Sequence, residues 1–446
     1  MDSVHPTEPR PADRTPFPPT GPWRVVGMLS GTSHDAVDAA VAELAFEGDP
    51  EAAPEPGAGS ARERVVLRPL GAVSEPLPAP LRAELVAALP PAGTTLADVC
   101  RLDTELGRLF GRVAARAVAE VAGGRADLVA SHGQTVFHWV EGPRARGTLQ
   151  LGAAAWIAEA TGLPVVSDFR TRDIARGGHG APLVPLLDAS LLLGGAEETL
   201  LQAAGRGVLN LGGIANITAR DAAGRLVAYD LGPANALIDA AVAETSGGAR
   251  RMDTDGAAAA RGRVDRPLLA ALLREPYYRL PPPKSTGKER FHGGYLASLT
   301  PPGAVAGDDL VATVTELTAE LVAAACRTLG LTELLVSGGG LRNPTLMARV
   351  RALAAPTEVR PTDAEGMPSS AKEALLFALL GFLTVHGLPG SLPAATGAAS
   401  AAVLGSLTPG AGPLRLPPPR AAAPRRLVLA PPQTASGSRS GGPGRA

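Results

Sequence analysis

Val25-Val26-Gly27-Met28-Leu29-Ser30-Gly31-Thr32-Ser33-His34-Asp35-Ala36-Val37-Asp38 runs an apolar stretch into a turn of small polar residues and closes on two carboxylates. Residues 24–28 read as one strand and 36–44 as the next. A turn of Gly, Ser and Thr offers unhindered backbone N–H groups and hydroxyls, which suit phosphate oxygens. A carboxylate beside it suits a phosphate-bound Mg²⁺. The chain contains no G-x-x-x-x-G-K-[ST], so this is not a P-loop. Taken alone, the same residues also describe a hairpin with a polar turn.

The opening pattern recurs. Gly207-Val208-Leu209-Asn210-Leu211-Gly212-Gly213-Ile214-Ala215-Asn216-Ile217-Thr218 is again a strand, a glycine turn and a second strand. Residues 226–231 form a third strand, followed by a helix over 235–244. Two similar beginnings roughly 180 residues apart predict two related halves, with a ligand between them. Strand-like and helix-like pieces alternate elsewhere too, which is the pattern of an α/β fold. Strands are expected at 64–70, 128–130 and 165–168. Helices are expected at 102–123, 152–161, 308–329, 344–353 and 370–386. Residues 1–22 and those from about 408 onward are rich in Pro, Gly and polar residues and read as disordered tails. The stretch 47–64 reads as a long loop.

Composition narrows the function. The formal net charge is −1, so nothing draws the chain to nucleic acid or to a membrane surface. There is no signal-peptide h-region and no apolar run of bilayer length. The two cysteines, Cys100 and Cys326, do not suggest a disulfide framework, and a cytoplasmic protein is expected. The seven histidines lack metal-ligand spacing, so no zinc site is expected.

Four segments carry groups suited to chemistry. Ser131-His132-Gly133-Gln134-Thr135-Val136 places an imidazole and an amide where a strand ends, good partners for a sugar ring. A lone His at a strand end is more often a structural donor than a substrate contact, and His132 carries both readings. The run from Asp168 to Pro185 holds Asp168, Arg170, Arg172, Asp173 and Arg176 before a glycine-rich loop. Its arginines can clamp a carboxylate or phosphate, or only pin the loop. Asp230, in Tyr229-Asp230-Leu231-Gly232-Pro233-Ala234-Asn235, is either a general base or a helix cap. Val336-Ser337-Gly338-Gly339-Gly340-Leu341-Arg342-Asn343 is a strand, a triple-glycine turn and a helix start. Such a turn admits a flat ligand close to the backbone, or is a plain tight turn.

In order, GMLSGTSHDAVD, SHGQTV, SDFRTRDIARGGHGAPLVP, LNLGGIANIT, YDLGPANALID, PKSTGKERF, VSGGGLRNPTLM and KEALLFALLG resemble the anhydro-N-acetylmuramic acid kinase family. They cover residues 24–407. The resemblance implies a two-lobed actin-like ATPase fold, a duplicated ribonuclease H-like α/β architecture with the active site in the interdomain cleft. It implies lobes at 23–200 and 201–407, the last helix returning toward the first lobe, with tails at 1–22 and 408–446. The activity implied is ATP-dependent opening of 1,6-anhydro-N-acetylmuramate to N-acetylmuramate 6-phosphate, a step of murein recycling. Asp230 would be the base that activates water, and Glu373 would help hold the sugar and that water. Gly31, Thr32, Ser33, His34, Asp35, Ala36, Val37 and Asp38 would form the ATP phosphate loop, with Asp35 the Mg²⁺ partner. Gly212, Gly213, Gly338, Gly339, Gly340 and Asn343 would complete the nucleotide side. His132, Gln134, Asp168, Arg170 and Arg172 would bind the sugar, Arg172 meeting its lactyl carboxylate. A homodimer is the family-based expectation.

The chain departs from the usual family pattern at His34-Asp35-Ala36, where Leu-Asp-Gly is common, and at Ala234, where Gly is common. Alanine matters there only if the backbone needs a positive φ or close approach to a ligand. Three rivals remain: a non-catalytic nucleotide sensor, a kinase for another amino or anhydro sugar, and a serine hydrolase. Retained Asp230 and Glu373 argue against the first, and the lack of a G-x-S-x-G elbow argues against the last.

Overall fold

The computed structural model describes residues 21–31, 33–48, 63–90, 92–142, 144–192, 205–221, 223–282, 284–287, 290–300, 304–305, 307–420 and 426–431. The first sheet holds β1 (Trp23–Ser30), β2 (Ala36–Gly48), β3 (Glu63–Pro76), β4 (Leu128–Glu141), β5 (Arg144–Leu151) and β6 (Val165–Ser167). The second holds β7 (Arg206–Leu211), β8 (Ile214–Arg220), β9 (Leu226–Pro233), β10 (Glu333–Ser337) and β11 (Glu358–Pro361). Two late strands, β12 (Ser406–Thr408) and β13 (Arg426–Leu429), return to the first sheet.

The two sheets repeat one plan. In the first, β1, β2 and β3 form an antiparallel meander, β4 lies parallel to β1, and β6 parallel to β4. In the second, β7, β8 and β9 form the meander, β10 lies parallel to β7, and β11 parallel to β10. The orders β3-β2-β1-β4-β6 and β9-β8-β7-β10-β11 are therefore the same. This is the duplicated ribonuclease H-like arrangement of the actin-like ATPase fold.

Alternation along β1 builds two cores at once. Val26 and Met28 pack with the Leu96–Glu120 helix, while Val25 and Leu29 pack with the Lys372–Val385 helix. Gly27 faces the second of these helices. A Cβ there would overlap the carbonyl oxygen of Ala374, so strand and helix meet backbone to backbone. The last helix therefore covers the first sheet although it follows the second in sequence. A third core joins the second sheet to the long Asp308–Leu329 helix.

Several boundaries differ from the sequence reading. The helix expected at 102 starts at Leu96, because Thr95 and Asp98 form a capping box. The strand expected at 128–130 runs on to Glu141 and pairs with β5 in a hairpin. The residues from 408 onward, read as a tail, include β13, which pairs with β3 and buries Leu427. Most of the 47–64 loop and most of both tails lie outside the described residues.

Candidate active site

The turn between β1 and β2 is held from outside. Arg82 donates from Nε to the His34 carbonyl (2.8 Å), and from its terminal nitrogen to the Ser33 carbonyl and Asp35 Oδ1, both at 3.2 Å. His34 stands at φ 56°, a left-handed backbone unusual for a residue with a Cβ. A Cβ on Gly31 would meet nothing within 4 Å, so the inner side of the turn is open. Asp35 thus forms an ion pair with Arg82, half exposed, while Asp38 on β2 lies in the field of Glu373. Val37 is fully buried, and Ala36 opens β2 opposite Pro76. Thr32 lies outside the described residues.

The first half of β4 and the segment after β6 build the sugar-side candidates. His132 is buried, and its ring packs against Phe377 of the last helix in a tilted arrangement, centroids 4.7 Å apart. Arg170 Nε donates to His132 Nε2 (2.8 Å), so the ring proton resides on Nδ1, which donates to the Gly133 carbonyl (3.0 Å). Burial, aided by Arg170, pushes the imidazole well below its ordinary range and keeps it neutral. Burial likewise lowers Arg170 to about 10; its guanidinium also donates to the Gly180 carbonyl (2.6 Å). Asp168, at φ 56°, accepts from Thr171 Oγ1 (2.5 Å). A cavity of about 360 Å³ lies beside these groups, lined by His132, Asp168, Asp103, Ser131, Gln150 and Thr171 among others. Gln134 is buried and donates to the Thr135 carbonyl, while Arg172 is exposed and donates to the Val403 carbonyl (3.3 Å). Of the sugar-side candidates, His132 and Asp168 line the cavity; Arg170 is tied to it through its bond to His132, and Gln134 and Arg172 lie outside the lining.

The second sheet supplies a polar row. Ser337, Asn210, Asn216 and Asp230 are register neighbours across β10, β7, β8 and β9, so their side chains share one face. Asn210 Nδ2 donates to Glu373 Oε1 (3.2 Å). Two strand spacings, roughly 9–10 Å, separate Asn210 from Asp230. Asp230 Oδ2 accepts from the Thr286 N–H (2.9 Å), its N–H donates to the Lys284 carbonyl, and its carbonyl accepts from Tyr277 Oη. The Lys284 ammonium donates to the Tyr277 and Tyr278 carbonyls and lies 4.8 Å from the Tyr277 ring centroid. Burial pushes Glu373 above the usual carboxylate range; Lys372, Arg170 and the Asn210 amide oppose that push.

The glycine turns are shaped by contact. Gly338 has φ 90°, and a Cβ there would crowd Asn210 Oδ1 at 2.6 Å. A Cβ on Gly340 would crowd Leu211, whereas one on Gly339 would meet only side-chain nitrogens beyond 3.6 Å, so Gly339 has open space. The Gly212 and Gly213 carbonyls accept the N–H groups of Asn235, Ala234 and Ala236. Asn343 caps the following helix through the Leu346 N–H (2.9 Å), a structural use of that side chain. Ala234 is fully buried at φ −123° and ψ −110°, so its backbone is not left-handed. No side chain caps the helix that starts at Asn235, so the capping reading of Asp230 is not what the structure has. Asn210, Ser337, Lys284 and Asp103 were not singled out from the sequence. Lys284 lies in PKSTGKERF, quoted above only as part of the resemblance, and the polar row depends on strand register, which the sequence does not spell out.

A family profile described as "Anhydro-N-acetylmuramic acid kinase" matches residues 23–410. A Streptomyces avermitilis protein of that name is 55% identical over 407 residues, covering 91% of this chain and all of its own length. A Gloeobacter violaceus protein of the same name is 41% identical, covering 87% of this chain and 99% of its own. Among solved structures, a ROK family glucokinase from Streptomyces griseus in complex with glucose and AMPPNP aligns at 13% identity. Its TM-score is 0.32, over 80% of this chain and 99% of that one.

Proposed function

The chain belongs to the anhydro-N-acetylmuramic acid kinase family, and from that membership we propose how its own residues carry the reaction. It is a kinase that opens 1,6-anhydro-N-acetylmuramate and phosphorylates O6, yielding N-acetylmuramate 6-phosphate in murein recycling. O6 is tied to C1 in this substrate, so phosphorylation alone cannot release it. Water adds at C1, the C1–O6 bond breaks, O6 takes the γ-phosphoryl group of ATP, and the water's proton passes to a base.

Asp230 is that base. One of its oxygens is fixed by the Thr286 N–H. Glu373, oriented by the Asn210 amide, holds the water and the sugar from the opposite lobe. The polar row that aligns Asp230 with Asn210, and through it with Glu373, is the observation that supports this reading. The sugar sits against the cavity beside His132 and Asp168, with Arg170 fixing His132 in its neutral form. Nucleotide phosphates meet the open turn at Gly31 and Ser33, and the base side approaches Gly339. Asp35 and Asp38 are suitable Mg²⁺ partners: this ion takes one or two carboxylates and completes its shell with water and phosphate oxygens. When bound, it would neutralise phosphate charge; Asp35 would then share its carboxylate with Arg82. Most of the catalytic power in such transfer comes from positioning and charge stabilisation.

Asp230→Asn tests the assignment. It keeps the size and the acceptor for Thr286 but removes the base. Turnover of the anhydro sugar should fall by roughly 10²–10⁴-fold with ATP affinity little changed. Wild-type turnover in the folded variant would overturn Asp230 as the base.

A further inference from the structure

Among the described residues the polypeptide crosses between the lobes twice, and the crossings meet at one buried ion pair. On the first crossing, Leu187 belongs to the first lobe's core, while Leu192 packs with Val208 and Leu335 of the second sheet. Asp188 follows Leu187 directly. On the second crossing, the chain leaves β11 and enters the Lys372–Val385 helix, which lies on the first sheet. Lys372 opens that helix. Its Nζ is 2.6 Å from Asp188 Oδ1, and both side chains are only 2% exposed.

The pair is wired to both halves of the active site. Lys372 Nζ also donates to Ser337 Oγ (3.2 Å), at the last residue of β10 before the triple-glycine turn. Ser337 Oγ lies 3.5 Å from Asn210 Oδ1, and the other end of that amide holds Glu373. Glu373 is also the next residue after Lys372. A displacement of Lys372 therefore moves Glu373 along the chain and through Ser337 and Asn210. Ordinary packing would not need this arrangement, because apolar groups of similar volume often replace a buried ion pair at no loss of stability. Direction distinguishes the pair: an ammonium with two fixed acceptors holds the helix start in one place relative to β10.

We propose that Asp188 and Lys372 are positioning residues. They hold Glu373 in register with the Gly338-Gly339-Gly340 turn, so that nucleotide seated on the turn and sugar seated at Glu373 favour each other. The inference rests on the assignment of Glu373 and of that turn given above.

The test uses the full chain carrying Asp188→Asn together with Lys372→Met, which removes both charges and leaves no lone buried ion. Its melting temperature should stay near wild type. kcat should fall roughly 10–100-fold, the scale of a small misplacement of reacting groups, while the sugar KM at saturating ATP rises by no more than the coupling lost. In calorimetry, a non-hydrolysable ATP analogue should strengthen sugar binding to the wild type and lose that effect in the double variant. A purely structural pair would change melting temperature and leave the kcat-against-KM split and the coupling untouched; that result overturns the proposal. If the double variant does not fold, Lys372→Arg keeps the charge and alters the geometry. Reduced kcat at a wild-type melting temperature supports the proposal, and unchanged kcat overturns it. Glu373→Gln, with the ion pair intact, separates the two readings. If it leaves turnover unchanged, the role of Glu373 fails, while the calorimetric coupling still reports on the ion pair.

Discussion

His132, His138 and Arg170 show how one neighbourhood sets protonation. Arg170 donates to the buried His132, so that imidazole stays neutral and its orientation is fixed. His138, farther along β4, is lowered to about 4 by burial first, then by Arg170 and His179. In the unfolded chain its pKa is near the ordinary 6.5. Between those values the unfolded chain binds more protons, so stability is full above 6.5 and is lost as pH falls toward about 4. His138→Asn removes this contribution. Its melting temperature should fall less steeply than wild type's across that window, with the two curves parallel above pH 7; equal slopes across the window would refute the assignment. His132 carries a shift of the same sign, so the variant's slope should shrink without vanishing. At Ala234 the residue scale answers a question the sequence left open. Its φ of −123° means the alanine replaces glycine without a left-handed backbone.

The docking of the last helix on β1 fixes Glu373, which lies in that helix's first turn. Gly27→Ala would force a methyl group into the carbonyl oxygen of Ala374 and the backbone nitrogen of Ala378. Neither atom belongs to a movable side chain, so helix or strand must shift. We expect a loss of about 3 kcal/mol, the upper end for overpacking, together with reduced turnover because Glu373 moves with the helix. Chemical denaturation measures the first and steady-state kinetics the second; a variant as stable as wild type would contradict the packing. These elements were only partly readable beforehand. The β1–β2 and β7–β8 hairpins announce themselves by apolar runs around glycine turns, and Leu128, Val165 and Asp308 each open an element where periodicity puts one. Gly27 looks like an ordinary strand glycine until the helix lies on it. The alignment of Asn210, Asn216 and Asp230 depends on register, and the Asp188–Lys372 pair joins residues 184 positions apart, a long-range contact that local periodicity does not encode.

At the scale of the whole molecule, a segment near the C-terminus is part of the fold. β13 pairs with β3 over four residues and buries Leu427 against the first lobe's second core. Deleting everything after residue 410 should therefore lower the melting temperature, because β3 becomes an exposed edge; an unchanged melting temperature would show that β13 adds no stability. The larger movement concerns the lobes themselves. The proposed phosphate, adenine and sugar positions are spread over the first turn, the second sheet and the first-lobe cavity, so in that reading no single lobe holds a complete site. Water must reach C1 as a reactant, yet bulk water beside the γ-phosphate would waste ATP, and closure around both ligands resolves that conflict. With two crossings between the lobes among the described residues, rotation about them is a direct way to close the cleft. Small-angle scattering should show a smaller radius of gyration with ATP analogue and anhydro sugar together than with either alone. The Asp188→Asn, Lys372→Met double variant should close less completely at the same ligand saturation, because the two ligands no longer favour each other. A radius of gyration that stays constant in the wild type under saturating ligands would rule out closure as the means by which the site is assembled.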